Sequence, residues 1–215
     1  MKKATPNSYM RTWALVAAPI RFFNRIKVVG AENIPTESGY MIAANHIAAK
    51  DVLLIGASCR RQIRFIAKKE LFKIPILRSI MRSFGAVKLD RGGSDVAAIR
   101  TSIELIKGGN LVAIFPQGHR NPGVEPCDTV IHHGAGLIAH KAECDVIPVC
   151  IKTRGHKYRI FRRIEIIFGK PIPHSELGFV SGGKEEYKRA TEIIFNSILS
   201  LGGFPTLPQS DKEGC

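Results

Sequence analysis

The sequence predicts an α/β layered domain: a central, mostly parallel mixed sheet of about seven strands flanked by helices. Three observations lead there. Short apolar or alternating runs recur along the chain, each bounded by Gly, Pro, Asn, Asp or Ser. Between them lie longer segments with helix start and stop signals. The two kinds of segment interleave from end to end, which favours parallel strands joined by helical crossovers.

Residues 8–26 suit an amphipathic helix lying on a membrane surface, broken or bent near Pro19. Trp13, Leu15, Val16, Ile20, Phe22, Phe23 and Ile26 supply apolar surface. Lys2, Lys3, Arg11, Arg21, Arg25 and Lys27 supply charge, with no acid before Glu32. Each cation beside an anionic leaflet is worth about 1 kcal/mol, so such a helix docks reversibly. The alternative is a helix that packs on the domain with its charges solvated. The apolar patch is cut short at Pro19 and basic residues resume at Arg21, which argues against a cleaved signal. A run of about eighteen apolar residues, as a spanning helix needs, is absent from the sequence.

Residues 25–30 alternate as a strand does. Residues 40–45 follow the turn at 37–39 and form a short apolar run, the pattern of a buried strand. A helix over 51–60 begins with a carboxylate at Asp51, where the helix dipole favours it. A strand over 64–67, a helix over 69–84 interrupted near Pro75 and a strand over 86–89 follow. Ser94 and Asp95 cap a helix that runs to Lys107 and ends at Gly108 and Gly109. Residues 111–115, 145–152 and 163–168 are predicted strands, 134–142 a short helix and 184–201 the closing helix. Residues 1–27 are thus an interfacial segment, 28–204 one folded domain and 205–215 a frayed tail.

At 215 residues, 45% apolar and 23% charged, the chain is long and apolar enough for one core and not disordered. Lys and Arg outnumber Asp and Glu by 32 to 18, a net +14 that calls for an anionic partner: nucleic acid, an anionic membrane or a phosphorylated substrate. Nucleic acid is disfavoured, because the chain has no aromatics interleaved with its charges on a strand and no helix-turn-helix or zinc pattern. The five cysteines (59, 127, 144, 150 and 215) have no regular spacing and no C-x-x-C pair, so they are expected as free thiols of a reducing compartment. Adjacent His132 and His133 point apart in extended chain and lack a third ligand, so no metal site is expected.

The chemistry-bearing stretch is Asn45-His46-Ile47-Ala48-Ala49-Lys50-Asp51, placed between a strand end and a helix start. On one continuous helix a five-residue gap sets two side chains about 140° apart, so His46 and Asp51 converge only through the intervening turn. If they meet, Asp51 accepts from one ring nitrogen and leaves the other as a general base. In isolation, a helix cap beside a half-buried histidine is the favoured reading, because His followed by Asp at this gap is common.

Downstream stand Gly85-Ala86-Val87-Lys88-Leu89-Asp90-Arg91, Phe115-Pro116-Gln117-Gly118-His119-Arg120 and Val146-Ile147-Pro148-Val149. In this order and spacing the four blocks resemble those of the glycerolipid acyltransferases, specifically the 1-acylglycerol-3-phosphate acyltransferase family. Gly30-Ala31-Glu32-Asn33-Ile34-Pro35 and the 67–75 segment look like that family's connecting sequence. The resemblance covers roughly residues 25–172 and is specific as a set.

The resemblance implies acyl transfer from acyl-CoA or acyl carrier protein to the free hydroxyl of lysophosphatidic acid, giving phosphatidic acid without a cofactor. It makes residues 28–204 an acyltransferase domain, with His46 as base and Asp51 as its orienting acid. Arg91 and Arg120 grip the substrate phosphate, with Lys68 and Lys88 as further candidates. Asn45, Gln117 and Gly118 are candidates for substrate positioning or for an oxyanion site built from backbone amides. Direct attack by substrate oxygen needs no thiol, so Cys59 is expected to be a packing residue. The third block departs from the family's usual Phe-Pro-Glu-Gly-Thr-Arg, with Gln117 for Glu and His119 for Thr. The basic run from Lys152 to Arg163 faces lipid headgroups, donor phosphates or solvent. The expected location is the cytoplasmic face of the cell membrane, peripheral or monotopic. The competing readings are the same chemistry on glycerol 3-phosphate or another lysolipid, and a non-catalytic basic protein that binds nucleic acid or a lipid surface.

Overall fold

The computed structural model describes residues 6–68, 85–89, 95–159 and 162–208. At its centre lies β2, Tyr40–Ala44, whose last four residues are buried. Successive side chains of a strand point to opposite faces, so a strand covered on both sides must be apolar throughout. Met41 and Ala43 face one core layer while Ile42 and Ala44 face the other.

The remaining strands are β1 (Ile26–Val29), β3 (Ile63–Lys68), β4 (Val87–Leu89), β5 (Leu111–Ile114), β6 (Val146–Thr153) and β7 (Ile164–Phe168), in the order β1-β7-β6-β2-β5-β3-β4. Neighbours are parallel except β6 and β7, which run antiparallel, as the mixed sheet expected from sequence requires. The carboxyl ends of β2, β5, β3 and β4 therefore share one rim. The reversal at β7 brings the starts of β7 and β1 to that same rim.

Five helices cover the sheet among the described residues: α1 (Pro6–Phe23), α2 (Asp51–Ser58), α3 (Asp95–Lys107), α4 (Gly134–Ala142) and α5 (Lys184–Gly202). One layer joins Ile106 of α3, Ile138 and Ala139 of α4, and Ile194, Phe195 and Ile198 of α5 to Met41 and Val112. The other joins Leu54 and Ile55 of α2 to Ile42, Phe65, Ile147, Ile151 and Ile166. Helices α4 and α5 approach so closely that a Cβ on Gly136 would stand 2.1 Å from the Tyr187 carbonyl oxygen, so glycine is the residue that fits there. The helix expected over 69–84 lies outside the described residues.

Of the break or bend expected near Pro19, the break does not occur: α1 continues through it to Phe23. A proline in a helix removes one backbone donor. Here the helix is held by its neighbour and its end. Ala17 is buried, the Trp13 indole Nε1 donates to the Gly56 carbonyl at 3.1 Å, and the Asn24 side-chain amide donates to Ile20 O at 2.8 Å. The opposite side of α1 leaves Leu15, Phe22 and Phe23 about three-quarters exposed, at 77%, 78% and 76%. No helix among the described residues is long and apolar enough to cross a membrane.

Candidate active site

His46 leaves the carboxyl end of β2, and Asp51 opens α2 after a short turn. The turn closes because Asp51 Oδ2 accepts the amides of Ile47 at 2.6 Å and Ala48 at 2.9 Å. The same oxygen lies 2.7 Å from His46 Nδ1, so the two side chains meet through the turn. Asp51 is fully buried and His46 is 15% exposed. A buried carboxylate needs donors for every lone pair. Its other oxygen, Oδ1, accepts the Tyr158 hydroxyl at 2.5 Å. His46 Nε2 makes no hydrogen bond among the described residues, and the imidazole lies flat on Phe115, centroids 4.0 Å apart and planes 16° apart. One nitrogen is held and the other is available.

The backbone at His46 is also pinned. Its amide donates to Gln117 Oε1 at 2.5 Å, and its carbonyl accepts the Asn121 amide at 2.9 Å. Gln117, 1% exposed, donates through Nε2 to Thr129 Oγ1 at 2.6 Å, and that hydroxyl donates to Pro126 O at 2.6 Å. The chain of bonds has one direction, amide to hydroxyl to carbonyl, and a residue that both donates and accepts completes it. A glutamine at position 117 thus has a local reason.

The three residues expected to position substrate or to build an oxyanion site are each engaged in internal bonds. Asn45 is buried, with Nδ2 on Ile151 O at 3.0 Å and Oδ1 on Ile151 N at 2.7 Å; it extends the β2–β6 ladder by one side-chain rung. Gln117 is occupied as just described. Gly118, at φ +69, donates its amide to Phe115 O at 2.9 Å inside the turn, so that N–H is not aimed at a ligand. The next amide, of His119, has no acceptor among the described residues.

Of the expected phosphate ligands, Arg120 sits exposed in the loop after β5, beside the Asn121 that bonds His46. Lys68 ends β3 on the rim that carries His46, and Lys88 is the middle residue of β4, with both side chains outside the described residues. Arg91 itself lies outside the described residues. The basic run leaves β6 at the same rim, with Arg154, Lys157, Arg159 and Arg163 exposed.

Tyr158, Lys50 and Thr129 were not singled out from sequence. Lys50 Nζ lies 3.9 Å from the Tyr158 ring centroid and 3.4 Å from Asn24 Oδ1. Burial lowers the Lys50 pKa, and the Asp51 charge opposes that shift. Burial first, then the Asp51 charge and hydrogen bond, push the Tyr158 phenol well above its ordinary range, so it stays a donor. A lone tyrosine inside a run of cations is the one signal the sequence offers for it.

Residues 25–152 match the family model described as Acyltransferase. The chain is 30% identical over 179 residues to the 1-acyl-sn-glycerol-3-phosphate acyltransferase of Bacillus subtilis (strain 168), covering 82% of this chain and 87% of that one. It is 32% identical over 182 residues to the protein of the same name from Borreliella burgdorferi, covering 81% and 70%. Its fold is similar to the crystal structure of the 1-acyl-sn-glycerophosphate (LPA) acyltransferase PlsC from Thermotoga maritima, with TM-score 0.64 and 26% identity over 89% of this chain and 81% of that one.

Proposed function

From the premise that this chain belongs to the acyltransferase family and is an acyltransferase, we propose that it transfers an acyl group from acyl-CoA or acyl carrier protein to the hydroxyl of lysophosphatidic acid, giving phosphatidic acid. The observation that carries the reading is the 2.7 Å bond between His46 Nδ1 and buried Asp51, with Nε2 open at the sheet rim. His46 Nε2 takes the proton of the acceptor hydroxyl as its oxygen attacks the thioester carbon. Asp51 fixes the Nδ1–H tautomer and stabilises the imidazolium that forms. The carbon–sulfur bond then breaks, and the proton passes from His46 to the departing thiolate. The oxyanion formed on the way is stabilised by the His119 amide, which has no acceptor among the described residues.

Arg120, with Arg91, Lys68 and Lys88 as further cations, holds the acceptor phosphate. The exposed Phe22 and Phe23 next to Arg21, Arg25 and Lys27 support docking of the 1–27 segment on an anionic leaflet, with 28–204 as the catalytic domain and 205–215 as a tail. The protein then sits at the cytoplasmic face of the membrane, peripheral or monotopic.

A panel of acceptors with one labelled acyl donor tests this. Thiol release from acyl-CoA or acyl carrier protein is expected with lysophosphatidic acid and not with buffer alone, and His46→Ala abolishes it while vesicle binding persists. Undiminished turnover in that variant removes His46 as the base. Release with glycerol 3-phosphate or another lysolipid instead moves the acceptor assignment. A tight, salt-sensitive DNA complex with no acyl transfer reverses the reading altogether.

A further inference from the structure

The two oxygens of Asp51 are held from different parts of the chain. Oδ2 takes three donors from residues 46–48. Oδ1 is held by the hydroxyl of Tyr158, 107 residues further along and outside the residues that the family model matches. The tyrosine comes from the loop after β6. Its ring is in turn flanked by the Lys50 ammonium, which reaches Asn24 at the end of α1. With four donors on two oxygens the buried carboxylate has one orientation.

Building on the reading of His46 as base, we infer that Tyr158 is a positioning residue of the acyl transfer: its hydroxyl locks the rotation of the Asp51 carboxylate and draws off part of its charge, so that Asp51 orients the imidazole without taking its proton. The Tyr158 hydroxyl bonds Asp51, and no hydrogen bond joins Tyr158 to His46 among the described residues, so it acts through Asp51. Losing the hydroxyl leaves more negative charge facing Nδ1, favours the imidazolium and lets the carboxylate turn about its own bond. A residue that merely fills space would do none of these things.

The experiment is the pH dependence of transfer from labelled acyl-CoA to lysophosphatidic acid, with thermal melting alongside. For Tyr158→Phe the expected result is a kcat lower by roughly tenfold, an acceptor KM within about twofold, and an acid limb of kcat/KM displaced upward by roughly half a pH unit. Placing 3-fluorotyrosine at position 158 keeps the hydroxyl and makes it a stronger donor, so the limb moves downward with the fold intact; this arm decides alone if the Phe variant does not fold. Lys50 and Asp51 at the tyrosine, its chain neighbours Lys157 and Arg159, and His46 with His119 and Arg120 of the loop bonded to it are the same in every variant. Limb positions that coincide with the parent protein overturn the inference. If His46→Ala still turns over, the base assignment falls; if it is dead while the Tyr158 series is flat, the positioning role alone falls.

Discussion

Replacing Gln117 by Met keeps the side chain's length and removes both of its hydrogen bonds. The His46 amide loses its acceptor at 2.5 Å and Thr129 loses its donor at 2.6 Å, while Thr129 keeps its bond to Pro126. Gln117 is 1% exposed, so water does not replace what is lost. An unsatisfied buried donor costs about 1–3 kcal/mol and a lost neutral hydrogen bond about 1, which together give about 2–4 kcal/mol. In a chain of this size that lowers Tm by roughly 5–15 °C. Because the lost acceptor holds the peptide that carries the imidazole, kcat falls as well, by roughly tenfold or more. Gln117→Glu serves as the control: it still accepts from the His46 amide, so it retains more of the rate. Thermal melting and initial rates of acyl transfer on the three proteins make the comparison. A Tm within about 2 °C of the parent and full turnover in Gln117→Met would falsify the anchoring role assigned to this side chain.

Two further outcomes follow from burial. Phe22→Ser with Phe23→Ser is expected to weaken sedimentation with phosphatidylglycerol vesicles by 100-fold or more, since two phenylalanines contribute about 3–6 kcal/mol when fully buried in lipid. Tm barely changes, because both rings are exposed in the folded protein; unchanged vesicle binding would refute the docking role. Burial pushes the Cys59, Cys144 and Cys150 thiols up to about 12, whereas Cys127 is only partly buried, its thiol raised by that burial and by the Asp128 and Glu125 carboxylates. Only the thiolate reacts, so a raised pKa means a smaller reactive fraction at neutral pH. Maleimide at pH 7.5 therefore modifies Cys127 among these four and spares the rest until strong alkali or unfolding. Turnover persists after modification, and loss of activity in step with labelling would instead implicate a thiol.

The position of His46 and Asp51 where a strand hands over to a helix made a meeting feasible, and the company of the other three blocks made it the favoured reading; the structure adds that the amides of the intervening turn close on the carboxylate. The interleaving of apolar runs and helix signals carried the sheet in the same way, from local pattern. Asn45 and Gln117 show where that stops. Both are polar residues inside a chemical motif, yet what each meets depends on a partner far along the chain: the Ile151 backbone, which runs past the end of β2, and the Thr129 hydroxyl. Tyr158 is further from reach, since its approach to Asp51 follows from the antiparallel turn between β6 and β7. At Pro19 a local rule was overridden by tertiary support, from the bond of Trp13 to Gly56 of α2 and the burial of Ala17.

That one reversed pair has a geometric consequence. Had β7 run alongside β6 in the same sense, β1 would begin at the far edge, and α1 would be delivered a strand's length away, about 17–20 Å. Instead the polypeptide enters its sheet where the imidazole stands, and Asn24 and Lys50 meet across that point. The exposed rings that end α1 and the reactive imidazole therefore stand at the same rim of the sheet rather than at opposite ones.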